Sequence, residues 1–346
     1  MAATSDDAVR ASVIVVTWNG RHLLEDCLAS LAAQDAPGID LEVVVVDNGS
    51  TDDTLPWLAA THPEATVVPL PENLGFAGGA NAGIRVARGE VALLINNDAA
   101  AEAGFVAAAV GAVLADDNVA AVTGLIVLAG RYTPVADGPH DLVGVDGIRW
   151  ALDTEGVELT NSTGNIVTRA ANGLDRDWLV PTSALERSSG EVAGFSGGAV
   201  ALRVSAAREV GLFDERLFMY YEDTDLAWRL RAAGWAIRFE RSAVVRHRHA
   251  ASSGARSDFF LFHNERNRLL FALRNAPGSV ILRATARTVI GAVLAGLRGD
   301  PATLRRRARA VAGALRLAPA YLADRRRDSR SAVVPRRRIA RDYLVP

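Results

Sequence analysis

"ASVIVVTWNGRHLLEDCLASLAAQDAPGIDLEVVVVDNGS", residues 11–50, is the stretch whose reading decides the fold. Its opening run is apolar and β-branched without a polar alternation, the mark of a strand covered on both faces, and it ends in the polar "TWNG". Leu24, Cys27, Leu28 and Leu31 then recur at helical spacing. "LEVVVVD" is a second buried strand with Asp47 at its end. Strand, helix and strand in this order predict a parallel pair joined by a crossover. The rhythm continues outward. "TDDTLPWLAA" reads as a capped helix, "ATVVPL" as a third strand and "NLGFAGGANAGIRVARG" as a glycine-rich loop entering a helix. "EVALLINND" reads as a fourth strand, "AEAGFVAAAVGAVLADD" as a helix and "VAAVTGLIVL" as a fifth strand. The expectation is an α/β fold with a mostly parallel central sheet flanked by helices. Ligands in such sheets bind beyond the strand C-terminal ends, where "TWNG", "DNGS" and "NND" stand.

Residues 129–190 break the alternation and are rich in Gly, Asp, Thr and Asn, which predicts hairpins and loops over the sheet edge. Regular structure resumes near residue 191, and "DTDLAWRLRAAG" starts a helix. Two strands, "WAIRFE" and "AVVRHRH", follow it. The expected organisation is a catalytic domain over 1–262, with the loop-rich insertion at 129–190, and an Arg-rich helical region over 263–346.

Composition narrows the chemistry. All 38 basic residues are arginine, so a Walker A lysine and a lysine Schiff base are excluded. The single cysteine, Cys27, excludes an internal disulfide framework and reads as a buried apolar residue. Charge is unevenly spread: from residue 281 onward 16 Arg face 4 Asp, a net of +12. Interleaved apolar segments there suit an anionic membrane surface, nucleic acid is the rival for an arginine-rich tail, and a solvated or dimerising appendage is the plainer reading. The acidic "MAATSDDAVR" start does not read as a signal peptide, and no uninterrupted apolar run approaches a membrane span. These features predict that the bulk of the protein is cytosolic.

Several polar residues sit where chemistry is expected. Thr17, Asn19 and Asp47 close the first two strands, and Asp47 can accept a hydrogen bond from a pyrimidine N3–H. Gly75, Gly78 and Gly79 permit close backbone approach. Asp98 follows the fourth strand, and a lone carboxylate there beside diphosphate oxygens suits Mg²⁺ or Mn²⁺. "YYEDTD", residues 220–225, crowds Glu222, Asp223 and Asp225, a repulsion that a cation, a proton or solvent must relieve. Asp225 reads as a helix-start residue. Each motif alone is also explained by turn and cap chemistry.

In order, "VTWNG", "VVVDNGSTDDT", "NLGFAGGANAG", "LLINND", "FSGGAVALRVSAAREVGLFDERLFMYYEDTDLAWRLRAAGW" and "VVRHRHAASSG" resemble family 2 glycosyltransferases, inverting sugar-nucleotide enzymes of GT-A fold. The resemblance covers about residues 11–275, and "NSTGN", "DRDW" and "HNERNRLL" add a likeness to bacterial rhamnosyltransferase-like members. It implies that Thr17, Asn19 and Asp47 hold the nucleoside, and that Asn73, Gly75, Asn81 and Asn97 line the donor pocket. Gly197 and Gly198 would lie beneath the sugar. Asp98, with His247 or His249, would take the divalent cation, although Asn96-Asn97-Asp98 offers only one carboxylate. Asp223 would be the general base, with Glu222 beside it shaping the acceptor site or raising the base's pKa. The implied donor is a UDP- or dTDP-linked sugar, dTDP-rhamnose among them, and the implied acceptor a cell-envelope glycan or polyprenyl-linked sugar. The alternatives are a sugar-phosphate nucleotidyltransferase, which wants a basic glycine-rich loop after the first strand, and a non-catalytic glycan-binding module, which would have lost Asp98 or Asp223.

Overall fold

The structure is a computed structural model and describes residues 9–136, 141–248 and 257–346. Strand β1 (Val9–Thr17), helix α1 (Arg21–Ala32), β2 (Ile39–Asp47), α2 (Thr54–Thr61), β3 (Thr66–Pro69), α3 (Gly75–Val86) and β4 (Val91–Asn96) alternate as expected. A short β5 (Ala99–Ala101), α4 (Phe105–Leu114) and β6 (Val119–Leu128) complete this half. The 129–190 segment holds β7 (Tyr132–Val135), β8 (Leu142–Val143), β9 (Arg149–Leu152), β10 (Thr160–Ser162), β11 (Asn165–Thr168), β12 (Gly173–Asp175) and β13 (Gly190–Glu191). Then come β14 (Ala199–Arg203), α5 (Val204–Glu209), α6 (Glu222–Ala232) and β15 (Ala236–His247). The chain finishes with α7 (Asp258–Asn275), α8 (Gly278–Leu297), α9 (Pro301–Ser331), α10 (Arg336–Tyr343) and β16 (Leu344–Val345).

The central sheet runs β13-β15-β6-β14-β4-β1-β2-β3. Neighbours β1/β2, β1/β4, β2/β3 and β15/β6 are parallel, while β14 sits antiparallel between β4 and β6. Alternate residues of each strand feed opposite faces. Val13, Val15, Leu93 and Ile95 pack with Leu24, Leu28, Phe105 and Val110 on one side. Ile14, Val44, Val46 and Leu94 pack with Ala80, Ile84, Phe195 and Leu226 on the other. Cys27 is fully buried in the first layer, and burial pushes its thiol up to about 12, as befits an inert packing residue.

Three sequence expectations change. "WAIRFE" and "AVVRHRH" are one strand, β15, whose pairing with β6 slips between Glu240 and Val244, a bulge rather than a turn. Gly78 and Gly79 lie inside α3, not in a loop before it. A Cβ on Gly79 would sit 2.5 Å from Val16 Cγ1 and one on Gly83 2.4 Å from Ile14 Cγ2. These glycines let the helix lie flat on β1 and β2; tertiary packing overrides their poor helix propensity. Third, α8 is long and apolar enough to cross a membrane by length and composition, although Arg283 and Arg287 interrupt it.

Helix α7 runs through position 262 without a break, and it is bound to the turn that precedes α6. Phe218, Tyr220 and Tyr221 all adopt positive φ, between 67° and 71°, a costly turn for non-glycine residues. Asn267 of α7 holds it, donating from Nδ2 to the carbonyls of Leu217, Met219 and Tyr220 at 2.7–2.9 Å.

Candidate active site

The strand ends and the start of α6 build one cleft. β1 and β2 end side by side, Thr17 opposite Asp47. Both side chains are buried. Asp47 Oδ2 accepts from the Ser50 amide at 3.2 Å, while its Oδ1 is buried with no hydrogen-bond partner among the described residues. A buried acceptor left unpaired costs free energy that a ligand donor recovers, so Asp47 is set for an N–H such as that of a pyrimidine. Thr17 Oγ1 accepts from Asn97 Nδ2 at 3.0 Å, tying the first loop to the fourth. Asn19 is left-handed at φ 48°, donates its amide to Ser50 Oγ and accepts from the Thr51 amide at 2.8 Å. Asn73 Oδ1 accepts from Asn48 Nδ2 and from the Gly75 amide, while Asn48 also donates to the Gly75 carbonyl and accepts from the Leu74 amide, which makes Asn48 the hub of this wall.

Gly75 opens α3 at φ +70°, and a Cβ there would fall 2.2 Å from the Phe218 carbonyl oxygen. The start of α3 and the turn before α6 therefore touch through this one residue. Gly75→Ala is expected to cost about 2–4 kcal/mol from left-handed strain plus overpacking, read as a lower unfolding midpoint in urea. A midpoint within error of the parent would refute this contact.

Asn81 is not brought to the cleft. Its Nδ2 donates to the Phe213 carbonyl and Glu215 Oε1, and its Oδ1 accepts from the Phe213 amide. It lines a cavity of about 790 Å³ between α3, α6 and the C-terminal helices, where buried arginines and aspartates pair with each other.

Asp98 is buried, and His247 Nε2 lies 3.1 Å from its Oδ1. His247 Nδ1 lies 2.7 Å from Asn161 Oδ1, so the asparagine fixes the ring with Nε2 turned toward Asp98. β5 pairing with β15 sets Ala99 opposite His247 and delivers this register. A carboxylate oxygen and an imidazole nitrogen are a donor set that suits Mn²⁺ or Mg²⁺ completed by diphosphate oxygens and water. Among the described residues no group of three or more His, Cys, Asp or Glu converges, so a bound cation would rely on the substrate for its remaining ligands. His249 lies outside the described residues.

Asp223 stands at the start of α6, half-buried, its Oδ2 accepting from the Gly197 amide at 3.1 Å. Gly197 has no room to spare: a Cβ would meet Phe76 at 3.3 Å and Asp223 Cβ at 3.7 Å. Gly198 abuts Asn96 Nδ2. Burial raises the Asp223 carboxyl above its ordinary range, opposed by the amides of Gly197 and Thr224. Glu222 is raised much further, by burial first and by the charge of Asp223 second, and its Oε2 has no hydrogen-bond partner among the described residues. The same crowding, with burial, pushes the Glu222 carboxyl upward. Asp225 is elsewhere altogether: fully buried, it accepts from Arg229 Nε at 2.8 Å and Asn275 Nδ2 at 2.7 Å, with Arg274 at 3.4 Å. Those guanidiniums hold its carboxyl below the usual range.

Two residues of the irregular segment join the cleft. Asn165 Nδ2 donates to the Phe195 carbonyl and Thr224 Oγ1, anchoring β11 over α6. Opposite it on β12 lies Asp175, which is exposed. Partial desolvation and the charge of Asp223 push its carboxyl upward, against a hydrogen bond from Ser162. "DRDW" had drawn attention only as a family likeness; no local pattern marks Asp175 as facing Asp223.

Residues 12–137 match the family described as "Glycosyl transferase family 2", and residues 155–258 match "Glycosyl transferase family group 2". The chain is 29% identical over 262 residues, 70% of its length and 77% of the relative's, to the N-acetylglucosaminyl-diphospho-decaprenol L-rhamnosyltransferase of Mycobacterium tuberculosis. Among solved structures, GalNAc-T7 with UDP, GalNAc and Mn²⁺ superposes with a TM-score of 0.59 at 14% identity, covering 80% of this chain and 49% of that one. The mannosyltransferase PcManGT from Pyrobaculum calidifontis, in complex with GDP-Man and Mn²⁺, superposes at 0.51 with 22% identity, covering 91% and 79%. The expected GT-A fold is therefore observed. Its two family matches flank the cleft that gathers Asp47, Asp98, Asp223 and His247, and the chain belongs to glycosyltransferase family 2, a glycosyltransferase of the bacterial rhamnosyltransferase-like kind.

Proposed function

We propose that the protein transfers a sugar, with inversion, from a nucleoside-diphosphate sugar to a hydroxyl of a lipid-linked cell-envelope glycan, and that it does so at the inner face of the cytoplasmic membrane. The observation that carries this reading is the placement of Asp223 and the Asp98–His247 pair in one cleft, with the unpaired Asp47 Oδ1 at its nucleoside end. Asp47 and Thr17 receive the base, and the loops pinned by Asn19, Asn73 and Asn97 shape the pocket, for which a UDP- or dTDP-linked sugar, dTDP-rhamnose included, is suited. Gly197 and Gly198 would lie beneath the donor sugar. Asp98 and His247 would hold Mn²⁺ or Mg²⁺, which when bound neutralises charge building on the departing diphosphate. Asp223 accepts the proton of the attacking hydroxyl as it closes on the anomeric carbon. Glu222, buried beside Asp223, shapes the acceptor side of the base. A relative that acts on an N-acetylglucosaminyl-diphospho-decaprenol supports a polyprenyl-linked acceptor.

The test is a screen of UDP-, dTDP- and GDP-linked sugars with Mn²⁺ or Mg²⁺, reading release of nucleoside diphosphate. One donor is expected to turn over, and chelation to stop it. Asn161→Ala, which frees the His247 ring, is expected to raise the Mn²⁺ needed for half-maximal turnover ~10–100-fold. No turnover of any donor with either cation would sink the reading; an unchanged Mn²⁺ requirement in the variant would sink the role given to His247.

A further inference from the structure

We infer that the tip of the α8–α9 hairpin is a bilayer-docking surface that seats the catalytic cleft against anionic lipid. This deepens the proposed function, on whose reading it rests for its purpose; the surface itself is argued from exposure, charge and position.

α8 buries one face and bares the other. Val280, Ala284, Thr288 and Ala295 turn inward. Leu282, Val289, Ile290, Val293, Leu294 and Leu297 turn outward, with Leu282 70% and Leu297 79% exposed. Their spacing of seven, eight, eleven, twelve and fifteen residues from Leu282 puts them on one stripe. α9 continues the surface with exposed Leu304, Leu315 and Leu322. An apolar stripe of this length on water-facing helices marks a contact surface.

The same helices supply the charge. Residues 281–323 contain eight arginines and a single acid, Asp300. Arg283, Arg287, Arg298, Arg305, Arg309 and Arg316 are exposed around the apolar stripe. This pattern decides between occupants. A second copy of the chain would set arginines against arginines across a two-fold contact. An anionic headgroup layer over an acyl interior satisfies both the guanidiniums and the leucines.

α8 is held as a helix lying on the surface rather than crossing. Thr288 Oγ1 donates to Glu265 Oε1 at 2.5 Å, and Arg268 and Arg307 reach Thr288 as well. Gly291 leaves space that the Arg307 guanidinium fills. A spanning helix would strip these polar contacts into lipid.

Position ties the surface to the chemistry. α9 runs beside α7 in the same direction, Arg306 meeting Asp258 and Arg325 reaching the Leu273 carbonyl. α8 runs the opposite way, Thr288 meeting Glu265 and Arg268, so the hairpin tip around Leu297 lies at the start of α7. There Phe259 and His263 pack on Phe218, at ring distances of 6.0 and 5.5 Å. Phe218 is the turn residue whose carbonyl meets the Ala77 amide at the mouth of the donor pocket, four residues before Glu222. A bilayer on this tip would hold a lipid-anchored acceptor beside Asp223.

The full chain is floated with vesicles of phosphatidylcholine containing about a third phosphatidylglycerol, and with phosphatidylcholine alone. Partitioning is expected to be at least ~10-fold stronger on the anionic vesicles. V293D/L297D, confined to exposed side chains, is expected to lose at least ~10-fold. R298Q/R305Q is expected to lose roughly 5-fold per arginine. Both should keep the parent's melting temperature and its release of nucleoside diphosphate from the donor. Equal partitioning on the two vesicle types overturns the inference, and so does an unaffected V293D/L297D. Self-association in the absence of vesicles that V293D/L297D abolishes overturns it in favour of a second copy. Asp223→Asn is expected to float as the parent does, so a failed transfer assay and a failed flotation point to different errors.

Discussion

Asp223→Asn is expected to transfer sugar at least ~100-fold more slowly than the parent while binding donor as before, because a general base is lost and no donor contact is. The amide retains the shape and can still meet the Gly197 amide through its oxygen, so the turn before α6 should persist. Titration calorimetry with the donor and Mn²⁺ separates the two effects. The pH profile carries the sign. The Asp223 pKa is raised by burial, and the base works only when ionised. Transfer should therefore fall as pH drops through that raised value, at a higher pH than a solvated aspartate would give. Asp175→Asn removes a second carboxylate whose charge is coupled to Asp223 and should reshape that limb without the full loss in rate. Near-normal transfer by Asp223→Asn would remove the base from the proposal.

The largest expected effect on stability lies two residues away. Asp225→Ala leaves Arg229 and Arg274, each about 5% exposed, without their buried counter-ion, and strips a hydrogen bond from Asn275. Removing one member of a buried ion network costs about 3–5 kcal/mol. Urea unfolding of parent and variant measures it; a loss under about 1 kcal/mol would mean that the other aspartates absorb the change. The linkage has a definite direction. The folded-state pKa of Asp225 is depressed, so its contribution is present above the ordinary carboxyl range and is lost as pH falls through the folded value. Parent and variant should converge in stability under acid.

Reading the sequence located what periodicity and strand ends can locate. Buried β-branched runs marked β1, β2, β4 and β6, and polar residues at their ends picked out Thr17, Asp47 and Asp98. His247 and Asp223 followed from the ordered motifs. Features set by distant contacts were less legible. Nothing local distinguishes Asn73, which shapes the pocket, from Asn81, which serves the Phe213 turn. Glycines in α3 mimicked a loop because their reason for being there is the flank of β1. Asn161 and Asp175 sit in strands of three residues, too short for any period to show. Asn267 acts on a turn some fifty residues earlier in the chain.

The small sheet β12-β11-β16 bears on how the molecule comes together in time. Val167 pairs with Leu344 and Thr168 with Val345, contacts 177 residues apart along the chain. The neighbouring β1–β4 units close loops far shorter than that and can assemble among themselves. Closing the long loop carries a larger entropic cost and comes late in folding. Asp175 rides on β12, so its side of the cleft should acquire native protection from hydrogen exchange after the nucleoside side does. A refolding population would then pass through a stage competent to bind nucleotide before its acceptor wall is in place.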